Sequence, residues 1–141
     1  MIQTETALPT RTILVADDDP TVRAIAEELL LAEGYRVLQA EDGNQALQLV
    51  ATEAIDLIVL DMLMPNKDGL ETIIELRRQR SDIRILAISS GGSMDIDSLL
   101  KPALAFGANG ALSKPLRIST FASTIAEMLR QPPKPTGPFE V

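Results

Sequence analysis

Five short apolar runs alternate with helical patterns along the chain, and this alternation limits the fold more than any other feature. The runs lie at 13–16, 35–40, 55–60, 83–88 and 110–112. Runs of this length with few polar residues are typical of strands buried on both faces of a parallel sheet. The third run is the most apolar, which predicts a central strand, whereas the more polar second run predicts an edge strand.

After each run, apolar residues recur three or four positions apart, which indicates five amphipathic helices. One helix between successive strands requires right-handed crossovers, so the pattern predicts an α/β fold with a parallel sheet and helices on both faces. Gly34 is expected to end the first helix. The apolar positions are Val22, Ile25, Ala26, Leu29 and Leu30; Ala46, Leu47, Val50 and Ala51; Leu70, Ile73 and Ile74; Ile96, Leu99, Leu100 and Ala103; and Ile118, Phe121, Ile125, Met128 and Leu129.

The length of 141 residues predicts one domain, and 45% apolar residues are enough for its core. We expect that domain over residues 12–130. Residues 1–11 lack periodicity and are predicted to be a flexible leader. Residues 131–141 carry four prolines and are predicted to be an extended, proline-rich tail.

Charge and composition exclude several classes of function. A net charge of −7 with 13 scattered basic residues argues against a nucleic-acid partner. No apolar run approaches the ~20 residues of a membrane span, and no signal peptide is evident, so we expect a cytoplasmic protein without a membrane partner. The chain contains no Cys and no His, so its chemistry must use carboxylates, hydroxyls and lysine.

Aspartates follow two of the predicted strands at the point where each strand ends. Asp17 and Asp18 follow the first strand, and Asp61 follows the third. The carboxyl ends of parallel strands share one edge of the sheet, so we expect the three carboxylates to lie close together. At ~4 Å and an effective dielectric near 20, each like-charged pair costs roughly 4 kcal/mol. A divalent cation, a raised pKa or a nearby lysine must offset that cost.

Two other aspartates, Asp19 and Asp68, are predicted to cap helices instead. Asp19 directly precedes Pro20, a combination typical of an N-cap followed by the first helical residue. Asp68 and Glu71 have the spacing of a capping box. We therefore leave both aspartates out of the acid cluster.

The ends of the fourth and fifth predicted strands add a serine pair and a Lys-Pro pair at the same edge. Phosphoryl transfer needs a nucleophile, positioning, and positive charge on the transferring oxygens. The set supplies each of these parts. The predicted roles are Asp61 as nucleophile, Asp17 and Asp18 as oxygen ligands of Mg²⁺, Ser89 as a hydroxyl donor, and Lys114 as a counter-charge.

These residues, in this order, resemble the receiver domain of two-component response regulators over about residues 12–130. The motif comprises an Asp pair after strand one, D-x-x-M-P-x-x-D-G after strand three, Ser after strand four and Lys-Pro after strand five. Each part is common alone, but the combination is specific. Because the pattern ends with the fifth helix, the chain looks like a stand-alone receiver of the chemotaxis-regulator type.

The resemblance implies a flavodoxin-like, doubly wound, five-stranded sheet with strand order 2-1-3-4-5. It implies that Asp61 accepts a phosphoryl group from a histidine kinase or a histidine phosphotransfer protein, and that an unknown downstream protein reads the result. It also implies a phosphoacceptor rather than an enzyme, with only self-catalysed phosphoryl transfer and slow autodephosphorylation.

The resemblance further implies a ligand set for Mg²⁺. Asp18 would bind the metal directly, Asp17 mostly through water, and Asp61 and the backbone carbonyl of Leu63 would be further ligands. It also implies a cis peptide between Lys114 and Pro115.

The chain departs from the family pattern at three positions. Ala111 lies where the family usually has Tyr or Phe, so an aromatic switch cannot operate there. Leu63 and Gly91 occupy places that in the family tune hydrolysis of the acyl phosphate, and neither offers a polar side chain to hold a water.

Two other functions remain as alternatives. An aspartate-based phosphatase of the haloacid-dehalogenase type needs Asp-x-Asp after its first strand, whereas the DDDP segment here is contiguous and Asp61 is followed by Met-Leu. The other alternative is a phosphate sink, or a docking module that is never phosphorylated, without output from an aromatic switch.

Overall fold

The computed structural model describes residues 10–79, 82–90 and 96–132. Most of the predicted leader and tail, together with Gly91, lie outside these residues. No helix among them is both long and apolar enough to cross a bilayer. In chain order the elements are β1 (Thr12–Ala16), α1 (Pro20–Ala32), β2 (Arg36–Ala40), α2 (Gly43–Thr52), β3 (Leu57–Asp61), α3 (Gly69–Gln79), β4 (Arg84–Ser90), α4 (Ile96–Ala105), β5 (Gly110–Lys114) and α5 (Ile118–Arg130).

The five strands form one parallel sheet in the order β2-β1-β3-β4-β5. The predicted α/β fold with flavodoxin-like strand order 2-1-3-4-5 is therefore confirmed. The most apolar strand, β3, is central, and the more polar β2 is an edge, as the sequence predicts. The carboxyl ends of all five strands consequently meet at one edge of the sheet.

Alternation along the central strands builds a separate apolar core on each face of the sheet. Ile13 and Val15 of β1 face the helices α1 and α5, whereas Leu14 and Ala16 face α2, α3 and α4. Burying one Leu or Ile side chain stabilises the fold by about 1.5–3 kcal/mol. Both faces of β1 and β3 are covered, which accounts for the unbroken apolar runs at 13–16 and 57–60.

Some residues predicted to lie in the core do not. Ile25 and Ile118 are 45% and 61% exposed. Ile118 is the first residue of α5, before the helix turns onto the sheet. On α3 the buried residues include Ile73, Leu76 and Arg77, so the core-facing stripe continues through an arginine instead of through Ile74.

Two strands are longer than predicted, and both differences concern the candidate site. β4 runs to Ser90 and β5 runs to Lys114, because Ser89 pairs with Ser113 and Ser90 pairs with Lys114. Ser89 and Lys114 are therefore held in the sheet itself instead of in the turns that follow it.

The predicted helix ends are confirmed. Asp19 Oδ1 accepts a hydrogen bond from the Thr21 amide at 2.9 Å as the N-cap of α1. Asp68 and Glu71 accept hydrogen bonds from each other's amides at 2.9 and 3.2 Å. Gly34 follows α1 with φ +91°, a conformation that favours glycine.

A buried arginine ties α3 to the far end of the sheet. Arg77 is only 5% exposed, and its guanidinium donates to the carbonyls of Ile83 and Gly107 at 2.7 and 3.1 Å. It also donates to Asn109 Oδ1 at 3.0 Å, an atom that accepts the Ile85 amide as well. Arg77 thus holds the start of β4 and the turn between α4 and β5 together.

We expect Arg77→Met to lower the free energy of unfolding by about 2–4 kcal/mol, because several buried acceptors lose a charged donor. Arg78→Met, a change at the next and exposed position, should alter it by less than about 0.5 kcal/mol. Urea unfolding of both variants measures this difference. Equal stability of the two variants would contradict the role of Arg77.

Candidate functional site

Three carboxylates lie together at the carboxyl edge of the sheet. Asp17, Asp18 and Asp61 each offer an oxygen, and these oxygens lie within 4.8 Å of one another. Asp17 and Asp61 are buried, whereas Asp18 is exposed. The structure therefore places the three acids as expected from the strand ends, with one of them open to solvent.

Asp17 is fixed by three hydrogen bonds, one to β2 and two to α1 and its N-cap. Its amide donates to the carbonyl of Ala40 in β2 at 3.1 Å, and its Oδ1 accepts the amide of Asp19 at 2.9 Å. Its own carbonyl accepts from Arg23 Nη1 of α1 at 2.7 Å. Sequence reasoning missed Arg23, because a single arginine on a helix carries no signal of a partner elsewhere in the chain.

Asp61 ends the central strand and is held by close backbone packing. The next amide, that of Met62, donates to Ile88 of β4 at 3.0 Å. A Cβ at Gly69 would lie 2.6 Å from the Asp61 carbonyl oxygen, so only glycine lets α3 begin this close to the strand end. The position of Asp61 therefore depends on both β4 and α3.

Lys114 lies between the two buried acids. Its Nζ is 2.8 Å from Asp17 Oδ2 and 3.4 Å from Asp61 Oδ1. Burial alone would lower the pKa of Lys114, but its hydrogen bond to Asp17 and the charge of Asp61 outweigh burial and raise that pKa. The peptide from Lys114 to Pro115 is cis, as the resemblance implies. The amine is thus a fixed positive charge in the acid cluster.

The surroundings of Asp61 also shift the pKa of its carboxyl group. Burial and the charge of Asp17 raise its pKa to about 6, although Lys114 and the Leu63 amide oppose the change. Two of the three ways of offsetting the repulsion, a lysine and a raised pKa, are therefore present in the protein itself.

Ser89 is fully buried near the end of β4. The partner of Asp61 across the sheet is Ile88, so Ser89 lies one position further along the same edge. Its Oγ has no hydrogen-bond partner within the described residues. Since an unpaired buried hydroxyl costs about 1–3 kcal/mol, this atom is suited to an oxygen supplied by a ligand.

The positions that depart from the family pattern are also located. The Leu63 side chain is 53% exposed in the loop after β3. Ala111 lies in β5 opposite Ala87 and packs against the core on the α2, α3 and α4 face. With alanine at position 111, no aromatic ring is available there.

The residues present fit a small divalent cation. Carboxylate oxygens are the ligands that Mg²⁺ prefers, and here three of them converge with a charge excess that one lysine offsets only in part. Exposure of Asp18 leaves an approach from solvent to the cluster.

The raised pKa of Asp61 predicts a pH-dependent stability. The folded protein holds this proton more tightly than the unfolded chain, so the stabilisation is complete below about pH 4 and is lost as the pH rises through about 6. Without metal, Asp61→Asn should therefore be more stable than the wild type by about 1–2 kcal/mol at pH 7.5 and nearly equal at pH 3.5. Urea unfolding in chelator across this pH range measures the difference.

Glu28→Gln removes one negative charge from the exposed surface of α1 and serves as the control for net charge. A stability difference between Asp61→Asn and the wild type that stays constant with pH would contradict the electrostatic description of Asp61.

Comparison with known proteins agrees with this arrangement. The sequence matches the response regulator receiver domain family over residues 13–126. It is 38% identical over 119 residues to the transcriptional regulatory protein CpxR of Klebsiella pneumoniae, covering 84% of this chain and 49% of that protein. It is 37% identical over 124 residues to the response regulator MprA of Mycolicibacterium vanbaalenii, covering 88% and 52%. The chain thus spans about half the length of these curated relatives.

Solved structures show the same fold. A putative response regulator from Chloroflexus aurantiacus has a TM-score of 0.79 at 30% identity, with 87% of this chain and 100% of that chain covered. The response regulator protein TrrA of Thermotoga maritima, solved in complex with Mg²⁺ and BeF, has a TM-score of 0.70 at 29% identity, covering 84% and 99%. By sequence match and by fold, this chain belongs to the response regulator receiver domain family.

Proposed function

We propose that this chain is a phosphoacceptor in two-component signalling and that Asp61 receives the phosphoryl group. The observation that carries the proposal is the contact of Lys114 with both Asp17 and Asp61 in a buried cluster of acids. A structural role would not need three carboxylates at one strand edge. A phosphoacceptor needs all of them.

The transfer step uses the Asp61 carboxylate as nucleophile. Its pKa of about 6 leaves it mostly ionised at neutral pH. A carboxylate oxygen attacks phosphorus and forms a P–O bond, while the P–N bond to the donor's histidine breaks. The imidazole leaves with the electron pair of that bond and takes up a proton. The product is an acyl phosphate on Asp61.

The other residues stabilise charge on the transferred group. Asp17, Asp18, Asp61 and the carbonyl of Leu63 would hold Mg²⁺, which when bound supplies positive charge to the phosphoryl oxygens. Lys114 would move from its contact with Asp17 to a phosphoryl oxygen. The Oγ of Ser89, which has no hydrogen-bond partner among the described residues, would donate to another oxygen.

A histidine that donates the phosphoryl group must lie outside this sequence, which contains no histidine. An apolar hollow beside Lys114 is lined by Val22, Ile25 and Leu116, which places apolar surface next to the acceptor. We propose that the kinase or phosphotransfer protein docks over this surface. The exposure of Ile25, unexpected from the sequence, supports this assignment.

One observation favours the alternative of a phosphate sink. Ala111 has no rotamer to change and removes one route from phosphorylation to output. A sink would be phosphorylated on Asp61 without a structural response in β4 or α4. Intact mass and hydrogen exchange together separate the two functions.

Incubation with acetyl phosphate and Mg²⁺ should add one acid-stable, base-labile phosphoryl group to the wild type, measured by intact mass. Asp61→Asn should gain no mass because the nucleophile is absent. A chelator should prevent the gain in the wild type. Phosphorylation of Asp61→Asn, or none in the wild type, would contradict the proposed function.

We further expect phosphorylation to change amide hydrogen exchange mainly in the loop from Ser89 to Met94 and in α4, with no aromatic flip. Ser89 can be drawn toward a phosphoryl oxygen, and glycines at 91 and 92, outside the described residues, allow the backbone to follow. The measurement compares the protein with and without beryllofluoride. Changes confined to the loops that hold Asp18 and Asp61 would instead favour the phosphate sink.

A further inference from the structure

A side-chain hydrogen bond links the start of α2 to the loop that follows Asp61. We propose that this bond between Asp42 and Asn66, here called the loop latch, positions the backbone of residues 62–68 for Mg²⁺ binding. Residues 62–68 are called the acceptor loop below. The proposal rests on the function proposed above and assigns a positioning role to two residues that do not belong to the acid cluster.

Both oxygens of Asp42 are used. Oδ1 accepts the Gln45 amide at 2.9 Å as the N-cap of α2, and Oδ2 accepts Asn66 Nδ2 at 2.7 Å. The hydrogen bonds from Gln45 and then Asn66 lower the pKa of Asp42, which keeps this carboxylate charged. Asn66 therefore donates a charge-assisted hydrogen bond, which is stronger than a bond between neutral groups.

The backbone reinforces the latch next to these side chains. The Gly43 amide donates to the carbonyl of Lys67 at 3.1 Å. A Cβ at Gly43 would lie 2.6 Å from that carbonyl oxygen and 2.1 Å from Thr72 Oγ1. Glycine at position 43 thus allows α2 to begin directly against the acceptor loop.

Asn66 adopts an unusual backbone conformation. Its φ is +66°, and among the described residues it is the one non-glycine with positive φ. Asn tolerates this conformation better than most residues, but the conformation is strained and persists only where surrounding contacts maintain it. The hydrogen bond to Asp42 is such a contact.

The acceptor loop is therefore held at both ends. Near its start, the Met62 amide bonds to β4, and the Met62 carbonyl accepts the Gly69 amide at 3.3 Å. Near its end, Asn66 and Lys67 bond to the start of α2. Leu63, whose carbonyl is the proposed metal ligand, lies between these attachments. These two attachments limit the positions that the Leu63 carbonyl can take.

Two substitutions remove the latch with little other change. Asn66→Gly deletes the donor but keeps a residue suited to positive φ. Asp42→Ser deletes Oδ2 but keeps a good N-cap for α2. We expect each to weaken Mg²⁺ binding about tenfold, as is typical for partners that orient metal ligands. The double variant should be no weaker than either single variant, because both lose the same bond.

Isothermal titration calorimetry with Mg²⁺ alone measures these affinities at 25 °C. Ile55→Val, a buried change that costs about 0.5–1.5 kcal/mol of stability, is the control for destabilisation and should keep the wild-type affinity. Asp18→Asn is the control for loss of a direct ligand. Without metal, the Gly43 amide should exchange faster in both latch variants than in Ile55→Val.

If the wild type binds Mg²⁺ and both Asn66→Gly and Asp42→Ser bind it with the same affinity, the latch alone is overturned. Absence of Mg²⁺ binding by the wild type would overturn the proposed function and the latch together. If Mg²⁺ binding is weakened in the latch variants and equally weakened in Ile55→Val, the effect is a general one of stability, and this outcome would also contradict the latch.

Discussion

The contact of Lys114 with Asp17 and Asp61 is the interaction on which the site depends. Parallel strands bring carboxylates to one edge, and burial strengthens their repulsion because the surroundings screen it less than water does. The amine offsets much of this repulsion, although burial and then the charge of Asp17 keep the pKa of Asp61 raised. The protein without metal is therefore folded yet retains an excess of negative charge. That excess favours the binding of a divalent cation.

Precision at this edge comes from backbone contacts around the acids. Gly43 and Gly69 lie where any Cβ would collide with the backbone of the acceptor loop or the strand before it. Asp42 is an aspartate like the three acids of the cluster, but it makes different contacts. It caps α2 and holds Asn66. The aspartates near this edge thus differ in their contacts: Asp42 accepts two hydrogen bonds, whereas Asp17, Asp18 and Asp61 form the acid cluster.

The opposite end of the sheet is held by Arg77. Its guanidinium bonds to carbonyls at the start of β4 and in the turn before β5, so these segments are tied together far from Asp61. Under the proposed function, a displacement of Ser89 would therefore be absorbed near Asp61 and at the start of α4. With Ala111 in β5, this proposed route would replace the one that an aromatic side chain provides.

The sequence predicts best those structural features whose causes lie close together in the chain. Strand and helix order, the capping roles of Asp19 and Asp68, and the meeting of Asp17, Asp18 and Asp61 were predictable, because each follows from short-range pattern plus the rule that parallel strands share one carboxyl edge. The extension of β5 to Lys114 was not, since it depends on pairing with β4.

Arg77 shows where sequence reasoning stops. It lies four residues after Ile73 on the core-facing side of α3, which was a usable signal, but its acceptors at 83, 107 and 109 belong to other elements. Sequence by itself determined the fold class and the chemistry available at one edge. Only the tertiary structure decided which donor meets which acceptor, because such contacts depend on distances between segments that are far apart in the chain.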